Sequence, residues 1–337
     1  MNLKRKIVST IFFIFLLYLA YYFVFRNYSI TQFVNTLKTC KPHFFIFAVI
    51  CIFLFVFFEA LFFKIILKKL GYRINWYQAF GYVFTEIYFS GITPSSTGGQ
   101  PIQMVEMSKD KIPYRISSII VLINTMFYKL SLLIILIIGF IIYHEEIFSF
   151  SDIFKLTAII GFVITLIIVL FFICLIFSKK FVSFLIRILL KTKKYKNNEH
   201  KLKDALSDYT EAAKYIRDHK KVLASTFFTI FMQRLSLLLV SYFVYKSFNI
   251  NNISVLYAIT IQAYLTIATD FVPIPGGIII SESLFIEVNE ILRITGLSKS
   301  ITIIFRSISF YILILISLLY YLLFHFKKRK PAVRIDN

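Results

Sequence analysis

Long apolar runs recur along the chain and dominate its pattern of hydrophobic and polar positions. Each run is long enough to cross the hydrocarbon core of a bilayer, which takes about 20 helical residues. Because backbone polar groups find no water in lipid, such runs must form helices that satisfy their own hydrogen bonds. The pattern predicts six full membrane spans, at about 7–25, 43–66, 116–142, 153–177, 222–246 and 301–326.

Two further apolar regions are interrupted by helix-breaking residues. Residues 78–108 are split by the run TPSSTGGQP, and residues 253–292 are split by PIPGG. Proline removes a backbone donor and glycine weakens a helix, so each region is predicted to be a hairpin of two short helices. The piece 78–91 is short for a full crossing, which favours a hairpin that re-enters the membrane from one side.

Composition supports the membrane interpretation. Hydrophobic residues make up 58% of the chain and charged residues 16%, whereas about a quarter of a soluble domain is charged. A soluble fold could not bury so much apolar surface, so lipid must be the solvent for much of it. The net charge of +21 is explained by Lys and Arg in cytoplasmic loops that touch anionic headgroups, and no nucleic-acid partner is expected.

The distribution of Lys and Arg sets the predicted orientation in the membrane. Loops assigned to the cytoplasm carry 27 of these residues and loops on the opposite side carry 5, as the positive-inside rule requires. Both termini are then cytoplasmic, in a multi-pass membrane protein. The loop 26–42 departs from the rule, because it contains Arg26, Lys38 and Lys41 on the opposite side.

The predicted elements follow the same order twice: span, broken hairpin, span. Residues 43–142 form the first unit and residues 222–326 the second, and the loop charges give the units opposite orientations. In such an inverted repeat, paired broken helices mark a substrate site near the membrane midplane. The predicted fold is a single all-α polytopic membrane domain over residues 1–337, with about six spans and two Pro/Gly-broken hairpins in an inverted repeat.

The spacing of charged residues within the two units supports the repeat. Lys129 lies 30 residues after Gly99, and Arg306 lies 29 residues after Gly277. Each glycine pair is also followed closely by a glutamate. The two units therefore place a cation at matching distances from their helix breaks.

Residues 178–221 form the longest polar stretch of the chain. It contains 13 Lys or Arg and 5 Asp or Glu. The part Leu202–Arg217 mixes apolar and charged residues at helical spacing, which predicts a surface helix resting on anionic lipid headgroups. A docking site for a lipid-modifying enzyme is the alternative interpretation of this basic segment.

Ionisable side chains within the spans are costly to bury and are usually functional or paired. Acids and bases are nearly balanced, so pairs such as Glu59 with Lys129, or Asp270 with Arg306, are candidates. A buried pair that only fixes helix packing is the alternative for each residue. The residues predicted to take part in ion coupling or ion pairs are Glu59, Glu86, Arg234 and Asp270.

The two helix breaks suggest where a substrate binds. A helix that begins at a break presents unpaired N–H groups and a positive dipole end, which receive a phosphate or another anion. Lys129 and Arg306 would neutralise a phosphodiester, and Glu106, Glu282 or Asp270 would receive a cationic headgroup or couple to protons. The predicted substrate-binding residues are Gly98, Gly99, Gln100, Gln103, Lys129, Pro275, Gly276, Gly277, Glu282 and Arg306.

Signatures of enzymatic chemistry are missing from the sequence. It contains no phosphate-binding loop of the G-x-x-x-x-G-K-[ST] type, no H-E-x-x-H metal motif and no G-x-S-x-G nucleophile motif. No catalytic residue, metal site or cofactor is therefore predicted. Transport by this chain would be passive or ion-coupled.

The residues around both breaks resemble those of a known family. The run ITPSSTGGQPIQMV at 92–105 resembles the first motif of the lysylphosphatidylglycerol synthetase/flippase transmembrane family, and FVPIPGGIIISE at 271–282 resembles its second. Arg306 in FRSISFY resembles the arginine of the family's last helix. The chain departs from the pattern at Gln100 and Gln103, where many members carry an acidic residue and an arginine.

The resemblance implies movement of aminoacylated phosphatidylglycerol or other lipids across the bacterial plasma membrane and, for a lysyltransferase, resistance to cationic antimicrobial peptides. Two-domain members also carry a soluble domain that transfers lysine from lysyl-tRNA to phosphatidylglycerol. The polar stretches of this chain are too short for such a domain, so the leading hypothesis is a lipid flippase or scramblase. The alternatives are a phosphatidylglycerol lysyltransferase and a non-catalytic partner of a lipid-modifying enzyme.

Overall fold

The computed structural model describes residues 18, 30–38, 40–190, 219–294, 296–327 and 331–334. The predicted first span, apart from Tyr18, lies outside the described residues. The same holds for the surface helix predicted within the basic segment.

The described chain is almost entirely helical. Two 3₁₀ turns, Pro94–Ser96 and Pro275–Gly277, occupy the two predicted breaks, and a π-helical segment, Ser307–Tyr311, interrupts the last long helix. Two short strands, β1 (Tyr72–Arg73) and β2 (Val333–Arg334), pair antiparallel. The α-helices are α1 (Ile30–Lys38), α2 (Pro42–Lys69), α3 (Trp76–Gly91), α4 (Gly99–Lys109), α5 (Tyr114–Phe148), α6 (Asp152–Phe177), α7 (Lys179–Leu190), α8 (Lys220–Ser247), α9 (Val255–Thr269), α10 (Ile280–Ile291), α11 (Ser298–Arg306) and α12 (Ile312–Phe326).

Five helical segments of the described chain are long and apolar enough to cross a membrane. They are α2, α5, α6, α8 and the continuous segment Ser298–Phe326 that contains α11 and α12. Their lengths run from 26 to 35 residues, more than the roughly 20 that the hydrocarbon core requires. These segments confirm the predicted all-α polytopic fold and five of the six predicted spans.

Each predicted hairpin consists of two short helices joined through a 3₁₀ turn. The arms α3, α4, α9 and α10 have 16, 11, 15 and 12 residues. At 1.5 Å per residue the longest arm spans about 24 Å, less than the roughly 30 Å hydrocarbon core. Neither hairpin has an arm long enough to cross alone, which agrees with the re-entrant geometry predicted for the first.

Side-chain caps fix where the first arm of each hairpin begins. Asn75 and Gln78 form a reciprocal capping box at the start of α3, with N–O distances of 2.9 and 3.0 Å. The Ser254 hydroxyl accepts the Tyr257 N–H at 3.1 Å at the start of α9. A cap satisfies backbone donors that the first helical turn leaves without a partner. Both hairpins therefore begin at a side-chain cap, a reciprocal one on α3 and a single serine on α9.

Equivalent elements of the two units meet in a reciprocal pattern. The first helices of the units, α2 and α8, pack along each other. Helix α3 of the first unit packs against α12 of the second, and α9 of the second packs against α5 of the first. The two 3₁₀ turns also contact each other. Such reciprocal packing, in which the hairpin of each unit contacts the last span of the other, is what a pseudo-twofold relation produces. The opposite membrane orientation of units 43–142 and 222–326 stays a prediction.

Helix α6 lies at the periphery and packs on α9 through a glycine. Only 22% of its most apolar 18-residue stretch is buried inside the protein, which leaves a wide face for lipid. A Cβ at Gly161 would lie 2.3 Å from the carbonyl oxygen of Ile267. The two backbones therefore approach as closely as small residues allow in membrane helix packing.

Candidate functional site

Two adjoining cavities lie where the two hairpin turns meet the long helices. The larger has a volume of about 500 Å³ and the smaller about 250 Å³. Taken together, the two cavities have a volume within the range of small-molecule sites in proteins, which is roughly 300–1,000 Å³. The polar and charged residues that line both cavities are Ser95, Ser96, Tyr128, Arg234, Asp270 and Ser309.

Two of the cations that line the cavities lie far from the ends of their helices. Arg234 is in the middle of α8, and Lys129 is near the middle of α5. Both helices are candidate membrane spans, and an ionised side chain is most costly near the middle of such a span. Such residues are retained in membrane proteins when they are paired or bind a ligand.

Lys129 forms an ion pair that joins the two units at the cavity. Its Nζ lies 2.6 Å from Oδ2 of Asp270, at the end of α9. The Tyr128 hydroxyl donates to the same oxygen at 2.6 Å. The candidate pairing of Lys129 with Glu59 is therefore wrong, because the hairpin turn brings Asp270 closer.

Arg306 supports the second hairpin turn from within its own unit. Its Nε donates to Glu282 Oε1 at 2.7 Å, and its Nη2 donates to the Gly276 carbonyl oxygen at 3.0 Å. The Tyr311 hydroxyl donates to the same carboxylate oxygen at 3.0 Å, and the Phe310 ring centroid lies 4.2 Å from the guanidinium carbon. The candidate pairing of Arg306 with Asp270 is wrong, since Glu282 is its partner.

Two other acids face the larger cavity without an ion pair in the described chain. Glu59 accepts hydrogen bonds from Asn124 at 3.2 Å and from Gln233 at 3.0 Å, one on each carboxylate oxygen. Glu86 accepts one from the Ser90 hydroxyl at 2.6 Å. Both carboxyl groups line the cavity. They are therefore the acidic groups that a cationic part of a ligand would meet there.

The first glycine pair serves close packing more than ligand binding. The Gly98 N–H donates to the Thr93 hydroxyl at 2.9 Å. A Cβ on Gly99 would lie 2.1 Å from the Ser90 hydroxyl oxygen and 2.6 Å from the Glu86 carbonyl oxygen. The pair thus lets α4 fold back against α3, and neither glycine is among the residues that line the cavities.

The second glycine pair lies at the cavity. Gly276 and Gly277 both have φ of +60°, a left-handed conformation that glycine adopts without strain. A Cβ on Gly276 would lie 1.9 Å from the Phe310 ring. Both glycines line the smaller cavity, and the turn that contains them begins at Pro275.

The two glutamines of the first motif have different positions. Gln100 lines the larger cavity and donates to the Thr125 hydroxyl at 2.6 Å. Gln103 is buried and donates to the Tyr82 carbonyl oxygen at 3.0 Å, away from the cavities. Gln103 thus ties α4 to α3.

Glu106 is also remote from the cavities. It is fully buried and lies 2.9 Å from the Lys109 amine and 2.7 Å from Nδ1 of His325. These contacts link α4 to α12 at the end opposite the hairpin turn. Glu106 is not among the residues that line the two cavities, and its role in headgroup binding or proton coupling stays a prediction.

Five of the predicted substrate-binding residues line the cavities, and others, such as Glu282 and Gln103, bond to neighbouring protein groups instead. The lining set is Gln100, Lys129, Gly276, Gly277 and Arg306. Sequence reasoning missed Tyr128, whose hydroxyl donates to Asp270 and whose ring lies against Arg234 and Lys129. Its one signal was its position beside Lys129. No group of three or more His, Cys, Asp or Glu in the described ranges is placed to hold a metal ion.

Comparison with known proteins gives one match. A family model described as the lysylphosphatidylglycerol synthase TM region matches residues 6–317. Neither a curated protein nor a solved structure shows a significant match to the chain. The matched range includes both broken hairpins and every residue that lines the cavities, and it confirms the resemblance drawn from the two motifs. The chain belongs to the lysylphosphatidylglycerol synthase transmembrane-region family.

Proposed function

We propose that this protein is a lipid flippase or scramblase in which phospholipid headgroups cross the membrane through the two adjoining cavities. The observation that carries the proposal is the set of largely buried charges that line two open cavities beside the hairpin turns. Ion pairs that served helix packing alone would need no cavity beside them. Family membership supports a membrane role connected with lipids.

The chemistry of the cavity walls suits a headgroup that carries both signs of charge. Arg234 and the Lys129–Asp270 pair face it, together with the carboxyl groups of Glu59 and Glu86. These groups would replace part of the water that a headgroup loses on entering the membrane, while the acyl chains remain in lipid. The substrates proposed are phosphatidylglycerol-type or aminoacylated phospholipids.

The setting proposed for this activity is the bacterial plasma membrane, with both termini in the cytoplasm. The basic segment 178–221 would then rest on the anionic inner leaflet, where each Lys or Arg near the surface contributes about 1 kcal/mol of attraction. A lipid-modifying enzyme that supplies the substrate is the partner that such a segment would recruit.

The proposal is tested by reconstituting the protein into liposomes and following labelled phosphatidylglycerol and lysylphosphatidylglycerol between leaflets. Exchange is expected to be faster than in empty liposomes. Ser309 lines both cavities, so Ser309→Trp places a bulky indole where the two adjoin and is expected to abolish the gain by obstructing the path between them. Leu319→Trp, at a side chain 63% exposed on α12, is the matched control and is expected to exchange lipid as the wild type does.

Two results would count against the proposal. Exchange of both lipids at the rate of empty liposomes would reject transport of these substrates. Exchange by Ser309→Trp at the wild-type rate would show that headgroups do not pass through the cavities.

A further inference from the structure

Arg234 differs from the other two cations that line the cavities. Lys129 is paired with Asp270 and Arg306 with Glu282. In the described part of the chain, no carboxylate lies within ion-pair distance of Arg234, and its buried Nε has no hydrogen-bond partner. The side chain is only 8% exposed. A buried guanidinium without an ion-pair partner is costly in a membrane interior, and a bound anion removes that cost.

The acids nearest in the cavity are already engaged. Both carboxylate oxygens of Glu59 accept hydrogen bonds from side-chain amides, and one of these amides belongs to Gln233, the neighbour of Arg234. Glu86 accepts from a serine hydroxyl. The local network therefore satisfies the acids through neutral donors and leaves the arginine open for a ligand.

The guanidinium of Arg234 is held in a fixed position by an aromatic ring. Its carbon lies 3.7 Å from the Tyr128 ring centroid and 5.8 Å from that of Phe55. Tyr128 is itself held by its hydrogen bond to Asp270. Stacking fixes the plane of the guanidinium, so less conformational entropy is lost when its N–H groups bind a ligand.

We propose that Arg234 binds the phosphate of the transported phospholipid, an inference that rests on the proposed function. The planar fork of a guanidinium matches the oxygens of a phosphodiester and binds two of them at once. Arg234 lines both cavities, so a phosphate held there is within the path of the headgroup. The sequence predicted that Lys129 and Arg306 neutralise the phosphate. Because those two cations are paired with acids of the protein, we assign phosphate binding to Arg234.

A binding experiment tests this assignment without requiring transport. The detergent-solubilised protein is titrated with dihexanoylphosphatidylglycerol, dihexanoylglycerol and inorganic phosphate, and the thermal unfolding midpoint is followed. The phospholipid is expected to raise the midpoint of the wild type, and the phosphate-free lipid is not. Arg234→Gln is expected to weaken the apparent affinity for the phospholipid roughly tenfold or more, since a charged hydrogen-bond donor is lost.

Matched variants separate binding from folding. Without ligand, Arg234→Gln is expected to unfold at or above the wild-type midpoint, because it removes a buried charge that has no ion-pair partner. Lys155→Gln removes a cation near the surface end of α6 and is expected to bind the phospholipid as the wild type does. Arg234→Lys keeps the charge but lacks the planar guanidinium, and its affinity for the phospholipid is expected to be several-fold weaker than that of the wild type. If Arg234→Gln does not fold, the lipid titration is carried out with Arg234→Lys instead.

The outcomes distinguish this inference from the proposed function. Wild-type affinity for the phospholipid in folded Arg234→Gln or Arg234→Lys protein would overturn it, as would equal stabilisation by the phosphate-free lipid. Stabilisation by inorganic phosphate as strong as that by the lipid would overturn it in favour of a free-anion site. Binding that depends on Arg234, without lipid exchange in wild-type liposomes, would keep the phosphate site and reject the transporter.

Discussion

The buried pair between Arg306 and Glu282 gives a prediction whose size follows from the structure. Glu282 is fully buried, and the Arg306 Nε lies 2.7 Å from its carboxylate. Arg306→Ala leaves that carboxylate without a counterion and the Gly276 carbonyl oxygen without its side-chain donor. Breaking a buried pair from one side costs about 3–5 kcal/mol. We expect a loss of that size in the free energy of unfolding.

Removing both charges together gives the matched comparison. In the double variant Arg306→Met, Glu282→Gln no ionised group remains unpaired, and replacing a buried pair by neutral groups is often close to neutral in stability. The double variant is therefore expected to lose less than half of what Arg306→Ala loses. Unfolding of the protein by titration with SDS in mixed micelles measures all variants on one scale.

Two results would refute this reasoning about the second turn. A loss below about 1 kcal/mol in Arg306→Ala would mean that the pair is not buried as described. The double variant is also compared with the single variants Arg306→Met and Glu282→Gln. If its loss equals the sum of the two single losses, the two side chains do not interact. If the prediction holds, reduced lipid exchange by Arg306→Ala reports a misshapen turn and gives no evidence that Arg306 touches phosphate.

Three further predictions follow from close contacts in the same region. Gly276→Ala adds a methyl group against Phe310 at a left-handed position and should lower the unfolding free energy by about 1–3 kcal/mol in the same SDS titration; an unchanged midpoint would contradict it. Gly161→Ala should lower the unfolding free energy by a similar amount, because its neighbour is the Ile267 backbone, which cannot rotate away. Ile159→Ala, at an exposed position on the same helix, should lower the unfolding free energy by less. Asp270→Asn leaves Lys129 without a counterion and should destabilise by about 3 kcal/mol, and adding Lys129→Met should recover most of this; no recovery would contradict the pairing.

The parts of the fold set by membrane thickness were predictable from sequence. A hydrocarbon core of fixed thickness imposes a minimum length on apolar runs, and the five described spans contain the predicted ones. The ends differ: the predicted span 116–142 belongs to a helix that runs from Tyr114 to Phe148. The polar residues at such ends still form helix, because water replaces lipid there without breaking backbone hydrogen bonds.

The positions of the helix breaks were also predictable, but their function was not. Proline and glycine at 94–101 and 273–277 interrupt the helices where expected. The sequence suggested open N–H groups at both breaks. In the structure Gly99 instead allows a close approach to Ser90, since a missing Cβ serves tight packing as well as ligand binding.

The partners of the buried charges could not be predicted from spacing along the chain. Lys129 and Asp270 are 141 residues apart, and their contact depends on the rotation of α5 and on how far the second hairpin reaches into the protein. Neither quantity is contained in a one-dimensional pattern. The pattern selected charged residues within the apolar segments, and three-dimensional packing decided which of them became pairs.

The two units use matching cations in different ways, and this difference bears on how a transporter of this shape would open. Arg306 stays within its own unit and holds the hairpin turn beside it. Lys129, at the matching distance from its glycine pair, reaches across to Asp270 of the other unit. Any motion of one unit against the other at the cavity must stretch the Lys129–Asp270 pair, whereas it can leave the Arg306–Glu282 pair intact. Because two ions separated in an apolar interior attract strongly, entry of a charged headgroup that offers each ion a new partner would lower the barrier to that motion.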